Sequence, residues 1–206
     1  MDIVTVSVPA SRVERWVANF ETRHGPTTYV VRDGTLEGTA EDGSSFVGRL
    51  PFGAAYDGPA DAASLAAAAT APQHWGVLLV RKGGFAVARM AGEAIAEHKI
   101  GQRHVQGRTK AGGQSQQRFA RRRGNQARQA NEAAAEHAAR ILRPGQMTGP
   151  LVTGGDHTAV DDVLADPRLR GFTVVEPWLP VPDPRRAVLD QAIRDATSVH
   201  VRVVNA

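Results

Sequence analysis

The sequence predicts an α/β (α+β) chain: a mixed sheet with helices, preceded by a small α+β N-terminal module over residues 1–72. Three observations predict it. Strand-like and helical patterns exchange within the first seventy residues and stop at Pro72. Three strand-like segments then meander from Gly76 to Gln106. Beyond them helix and strand alternate to the end, so residues 73–206 read βββ-α-β-α-β-α-β, the order of a mixed-sheet α/β domain.

Ile3 to Val8 alternates apolar and polar residues, as a half-buried strand does. Ser11 with Glu14 three residues on suggests a capping box, and Val13, Trp16, Val17 and Phe20 form one helical stripe. His24-Gly25-Pro26 ends that helix. Thr28–Arg32 and Ser45–Leu50 read as strands, and Asp33-Gly34 and Asp42-Gly43 are hairpin-type turn signals. Asp57-Gly58-Pro59 interrupts the chain before a short alanine-rich helix.

In the second part, Gly76–Arg81, Phe85–Met90 and Glu93–Gln106 are the meandering strands, the first two joined through Lys82-Gly83-Gly84. Residues 107–114 form a glycine-rich basic loop, and a long helix capped by Ser115 follows over 115–142, stopped by Pro144-Gly145. Leu151–Thr153 is a short buried strand that turns through Gly154-Gly155-Asp156 into a helix over Thr158–Ala165. Phe172–Val175 is a strand, Pro177–Pro184 a proline-rich loop, Arg185–Thr197 a helix and Val199–Val204 the final strand.

Composition narrows the function. The chain has 206 residues, is 42% hydrophobic, and has no run near the roughly 18 apolar residues a membrane span requires. Absent cysteine excludes disulfides, thiolate zinc sites and a cysteine nucleophile, and fits a cytoplasmic setting. Net charge is +4, unevenly placed. Between His98 and Arg128 stand nine Lys and Arg and no Asp or Glu, so that window carries +9 and the remainder −5. A solvated surface normally mixes both signs, so this segment is built for a polyanion, with nucleic acid the leading partner.

Inside the basic window, Gly112-Gly113-Gln114 precedes a helix carrying Arg118, Arg121, Arg122 and Arg123. Two residues without Cβ let the backbone approach a ligand closely. A helix N-terminus adds unpaired N–H groups that stabilise phosphate or a developing oxyanion. Phe119, Ala120, Ala127, Ala130, Ala134, Ala138 and Ile141 are spaced to pack the helix on a sheet.

The pattern Gly-Gly-Gln-Ser-x-x-Arg-Phe-Ala-Arg-x-Arg, Gly112 to Arg123, resembles the catalytic loop and helix of the eukaryotic and archaeal class-1 peptide release factors. The three-strand meander before it and the β-α-β-α-β order after it are similar to that family's central domain, so the resemblance covers about Trp75 to Ala206 and implies an RNase H-like fold. The stop-codon-reading and partner-binding domains of those factors find no room in 206 residues. The chain therefore resembles more closely the stand-alone Vms-like release factors, which include actinobacterial members. In their eukaryotic branch the glutamine is displaced within the loop and the tRNA end is cleaved; here Gly-Gly-Gln is intact, which favours ester hydrolysis over RNA cleavage.

The resemblance implies a peptidyl-tRNA hydrolase acting in ribosome rescue, with Gly112, Gly113 and Gln114 catalytic. Lys99, Arg103, Arg108, Lys110, Arg118, Arg121, Arg122 and Arg123 would grip nucleic acid. It implies a monomer whose partners are the large ribosomal subunit and peptidyl-tRNA, with no cofactor, metal or membrane. The alternatives are a ribosome- or RNA-binding factor without catalysis, and an endonuclease of the tRNA 3′ end.

The other chemistry-bearing residues read as structural. The seven histidines form no His-x-x-x-His pair. His98 and His104 have the even spacing of one strand face, which suits phosphate contact or structure better than metal ligation. In Gly154-Gly155-Asp156-His157 a phosphate or metal site competes with a capped turn, and the turn is favoured. Glu93 and Glu97 read as surface residues, and Trp16, Trp75 and Trp178 as core.

Overall fold

The computed structural model describes residues 3–82, 84–102, 114–143 and 149–206, with the backbone alone described over 114–127. The chain divides into two compact units, Met1–Ala71 with Ile193–Ala206, and Pro72–Ala192.

The first unit holds β1 (Ile3–Val8), α1 (Val13–His24), β2 (Thr27–Arg32), β3 (Thr35–Ala40), β4 (Ser45–Arg49), α2 (Ala62–Ala68) and β10 (Val199–Val204). Its sheet runs β1-β10-β4-β3-β2, every pair antiparallel. Val8, Leu36, Phe46, Val199 and Val201 from the strands meet Val13, Val17 and Phe20 of α1 and Leu65 of α2 in one core. Asp61 starts α2 by accepting the Ser64 N–H, 2.7 Å, which holds its carboxyl below the usual carboxylate range.

Three expectations change here. The final strand, Val199–Val204, was expected in the second sheet; it lies instead between β1 and β4 in the first. Its apolar side chains at 199, 201 and 203 match the gap between those strands, a long-range pairing that local pattern cannot reveal. An additional strand, β3, sits where only turn residues were expected. Its sequence is weakened by Gly38, but Phe46 explains that residue: a Cβ at 38 would lie 2.3 Å from the ring. Lastly, α1 is entered through a 3-10 turn, Ala10–Arg12, with no side-chain cap, so the Ser11–Glu14 box does not form.

The second unit holds β5 (His74–Arg81), β6 (Gly84–Ala91), β7 (Ala94–Gln102), α3 (Gln114–Leu142), β8 (Gly149–Gly155), α4 (His157–Leu164) and β9 (Phe172–Leu179), with α5 (Arg186–Ala196) beginning in it. Its sheet runs β7-β6-β5-β8-β9. β6 is antiparallel to both neighbours, whereas β5, β8 and β9 are parallel. The central strand β5 is buried from Trp75 to Val80, as a strand covered on both faces must be. This mixed α/β content agrees with the α/β (α+β) release-factor catalytic-domain type that the resemblance implied. β9 runs past the expected Val175 to Leu179, with a register shift against β8.

Because β10 lies between β1 and β4, deleting 199–206 should leave β1 without a partner strand and β4 paired with β3 alone. Residues 3–71 should then lose protease resistance and cooperative thermal unfolding. Limited proteolysis with mass mapping measures this, and an unchanged digestion pattern in that region would refute the role.

Candidate nucleic-acid interface

Two described elements bracket the glycine-rich segment. β7 ends at Gln102 and α3 begins at Gln114, so Gln114 belongs to the helix and Ser115 is inside its first turn rather than its cap. Gly112 and Gly113, with Arg103, Arg108 and Lys110, lie outside the described residues, as does His104. Arg118, Arg121, Arg122 and Arg123 fall on the helical backbone of α3, their side chains outside the description. Lys99 is exposed on β7, at the edge of the sheet.

α3 is 29 residues long, roughly 43 Å at 1.5 Å per residue. Its described burial concentrates at the C-terminal end: Ala134, Ala138, Ile141 and Leu142 are at most 1% exposed. Ala134, Ala138 and Ile141 are thus on the sheet-facing side as expected, Ala130 is half-buried, and Phe119, Ala120 and Ala127 lie outside the described side chains. Alanines carry no bulk, so this stretch of helix packs close to the sheet.

Polar contacts fix the same end of the helix. Arg89 of β6 donates from Nε to the Ile141 carbonyl, 3.1 Å, filling one of the acceptors a helix C-terminus leaves open. Its Nη2 lies 3.6 Å from Glu97, and Glu97 accepts from Arg140 at 2.8 Å. Glu97 is therefore a bridge between β6, β7 and α3 rather than a plain surface residue. Phe85 stacks on His137 of α3, with centroids 5.4 Å apart. On the other side, Asn131 donates to Asp162 of α4, 2.9 Å. Arg168 bridges Glu136 at 2.9 Å and Asp166 at 2.8 Å. The Arg168 hydrogen bonds, then a backbone N–H, hold the Asp166 carboxyl below the usual carboxylate range.

Gly101, one residue from the end of β7, lies beneath Phe85: a Cβ there would fall 2.2 Å from the ring. Phe85 thus touches both the end of β7 and α3, the two elements that flank the segment. Beside them Val80, Phe85, Gly101, Gln102, Ala130 and Asn131 help line a cavity of about 290 Å3.

The remaining candidates resolve structurally. Asp156 caps α4, accepting from Ala159 N at 3.2 Å, and Gly155 adopts φ +105° with its neighbour's N–H bonded to Val80 O, 2.8 Å. His157 stacks on Trp178 at 3.5 Å. His98 Nε2 is 3.1 Å from Arg186, Trp75 donates to Gly92 O, and Trp16 packs against Phe20 and Phe46. Among the described residues, no group of three His, Asp or Glu could hold a metal ion. No described helix is long and apolar enough to cross a membrane. Sequence reasoning missed the joint roles of Phe85, Arg89, Glu97 and Gly101; only their spacing along adjacent strands could have suggested them.

Comparison with known proteins adds one match. The family model described as Actinobacteria/chloroflexi VLRF1 release factor matches residues 73–202. No curated protein matches the chain at a significant level.

Two outcomes follow from this anchoring. Gly101→Val should force Phe85 off His137 and cost about 1–3 kcal/mol in urea unfolding; an unchanged midpoint would contradict the seam. Asp166, ionised at neutral pH and with a depressed folded pKa, stabilises above about pH 5 and loses its contribution as pH falls through about 4 and below. Melting temperature against pH should therefore fall less steeply on the acid side in Asp166→Asn than in the wild type.

Proposed function

The chain belongs to the Actinobacteria/chloroflexi VLRF1 release factor family, and from that membership, which implies a ribosome interaction, we propose that it hydrolyses peptidyl-tRNA on stalled large subunits through Gly112-Gly113-Gln114. The observation that carries the reading is that a strand paired with β6 and a helix anchored at its far end flank this segment, with α3 starting at Gln114 itself. Counted from its own first strand, the sheet order is 3-2-1-4-5 with only strand 2 reversed, which supports the RNase H-like reading.

In this proposal the first N–H groups of α3, unpaired within the helix, face the developing oxyanion. Water attacks the ester carbonyl, the carbon–oxygen bond to the tRNA ribose breaks, and the ribose oxygen takes the proton. The products are a free peptide acid and a tRNA with its 3′-terminal hydroxyl restored. The ester is already activated, so placing water accounts for much of the acceleration. Gly112 and Gly113 permit close backbone approach, and the Gln114 side chain restricts the space to water. Lys99, Arg103, Arg108, Lys110, Arg118, Arg121, Arg122 and Arg123 hold tRNA or ribosomal RNA phosphates, in a cytoplasmic setting and as a monomer.

The test is release of labelled peptide from peptidyl-tRNA on isolated large subunits. Gln114→Ala and Gly113→Ala should each slow release by about 10²-fold or more. Arg121→Ala with Arg122→Ala should instead weaken binding and flatten its salt dependence, by about one to two in the slope of log K against log salt. Release that persists in both loop variants would end the proposal, and a shortened tRNA product would point to nucleolytic cleavage instead.

A further inference from the structure

The first unit carries a groove that the release reading leaves unused. β1 is an edge strand, paired on one side with β10 only. Ile3 and Val4 on it are 64% and 47% exposed, a large apolar exposure for a sheet edge. Between β1 and α1 lie two adjoining cavities of about 590 and 370 Å3, both lined by Val6, Trp16 and Asn19. Together they form one trough along the strand.

The charge in this trough is one-sided. Arg12, Arg15 and Arg23 line it, and neither lining contains Asp or Glu. Among the described residues none of the three arginines has an ion-pair partner. This segregation is against the local trend: Met1–Ala71 with Ile193–Ala206 contains seven arginines against ten Asp and Glu. The nearby Asp42 engages His24, 2.8 Å, at one end of the trough and is not part of its lining.

We propose that this trough binds an extended acidic segment of a partner protein, added as a strand to the free edge of β1. An open strand edge offers peptide N–H and C=O groups that only another peptide backbone pairs in register. The floor of Val4, Val6 and Trp16 accepts an apolar side chain, and the arginines accept carboxylates. Spacing sets the motif. Arg15 and Arg23 are eight helical residues apart, about 12 Å. Residues i and i+4 of a strand are about 13 Å apart on one face. The ligand therefore reads acidic-x-apolar-x-acidic, its central side chain over the stretch lined by Val6, Trp16 and Asn19 that the two cavities share. An RNA strand would satisfy the arginines but neither the strand edge nor the apolar floor. The groove residues all lie outside 73–202, so the proposal stands apart from peptidyl-tRNA hydrolysis.

The experiment titrates a fluorescein-labelled ten-residue peptide, with two glutamates flanking a valine at alternate positions, into the full chain. Saturable binding should weaken by about tenfold or more when Arg15→Glu and Arg23→Glu are combined, and persist with Arg15→Lys and Arg23→Lys. Both sites are exposed, and a melting curve verifies the fold. Backbone amides within Ile3–Val8 should gain hydrogen-exchange protection on binding. Equal binding of a lysine-for-glutamate peptide, tighter binding of a ten-nucleotide oligouridylate through the same arginines, or absence of protection along β1 overturns the proposal.

Discussion

The seating of the last third of α3 on its sheet governs the second unit. Small side chains at Ala134, Ala135, Ala138 and Ala139, all buried, let the helix sit close to β6. Close packing of that kind has few alternative arrangements, so it defines the axis of the whole helix. Arg89, Arg140 and Glu97 then prevent sliding along that axis, because the Ile141 carbonyl and the Arg140 guanidinium must both keep their partners. Whatever Gln114 does, it does at the far end of a rod whose direction is decided some twenty residues away.

The same helix separates two kinds of residue. Its anchored end is alanine-rich and ion-paired; its other end carries arginines without a single acid from His98 to Arg128. An ion pair made within the fold neutralises a cation, and Glu97 and Glu136 are both spent on arginines at the anchored end, where Asp162 also accepts from the Asn131 amide. The division of labour is thus visible as a division of acidic residues, which explains how a chain of net charge only +4 concentrates +9 in one stretch.

Much of this was legible in the sequence because its signals are local. The alternation in Ile3–Val8, the buried run in β5, the Asp156 cap and the sheet-facing Ala134, Ala138 and Ile141 all follow from period and turn chemistry. What escaped was non-local. β3 has a glycine where Phe46, eight residues on, fills the space, so its strand pattern is incomplete when read alone. Ser11 has the residue type of a helix cap, but the chain enters α1 through a 3-10 turn and leaves it unused. Glu97 reads as solvated until β6 and α3 bring two arginines to it. For the loop itself the glycines, the glutamine and the surrounding charge carried the reading, since their chemistry depends on residue type more than on packing.

The place of β10 has a consequence for how the molecule comes into being. Val199 follows Arg49 by 150 residues, yet it pairs between strands that are both among the first to be synthesised. Closing so long a loop is entropically slow, and until it closes two neighbouring backbone edges stay open to wrong partners. The first sheet is therefore completed last, after the whole second unit has been translated, and a nascent chain that stalls before residue 199 carries an unfinished first unit however long it waits.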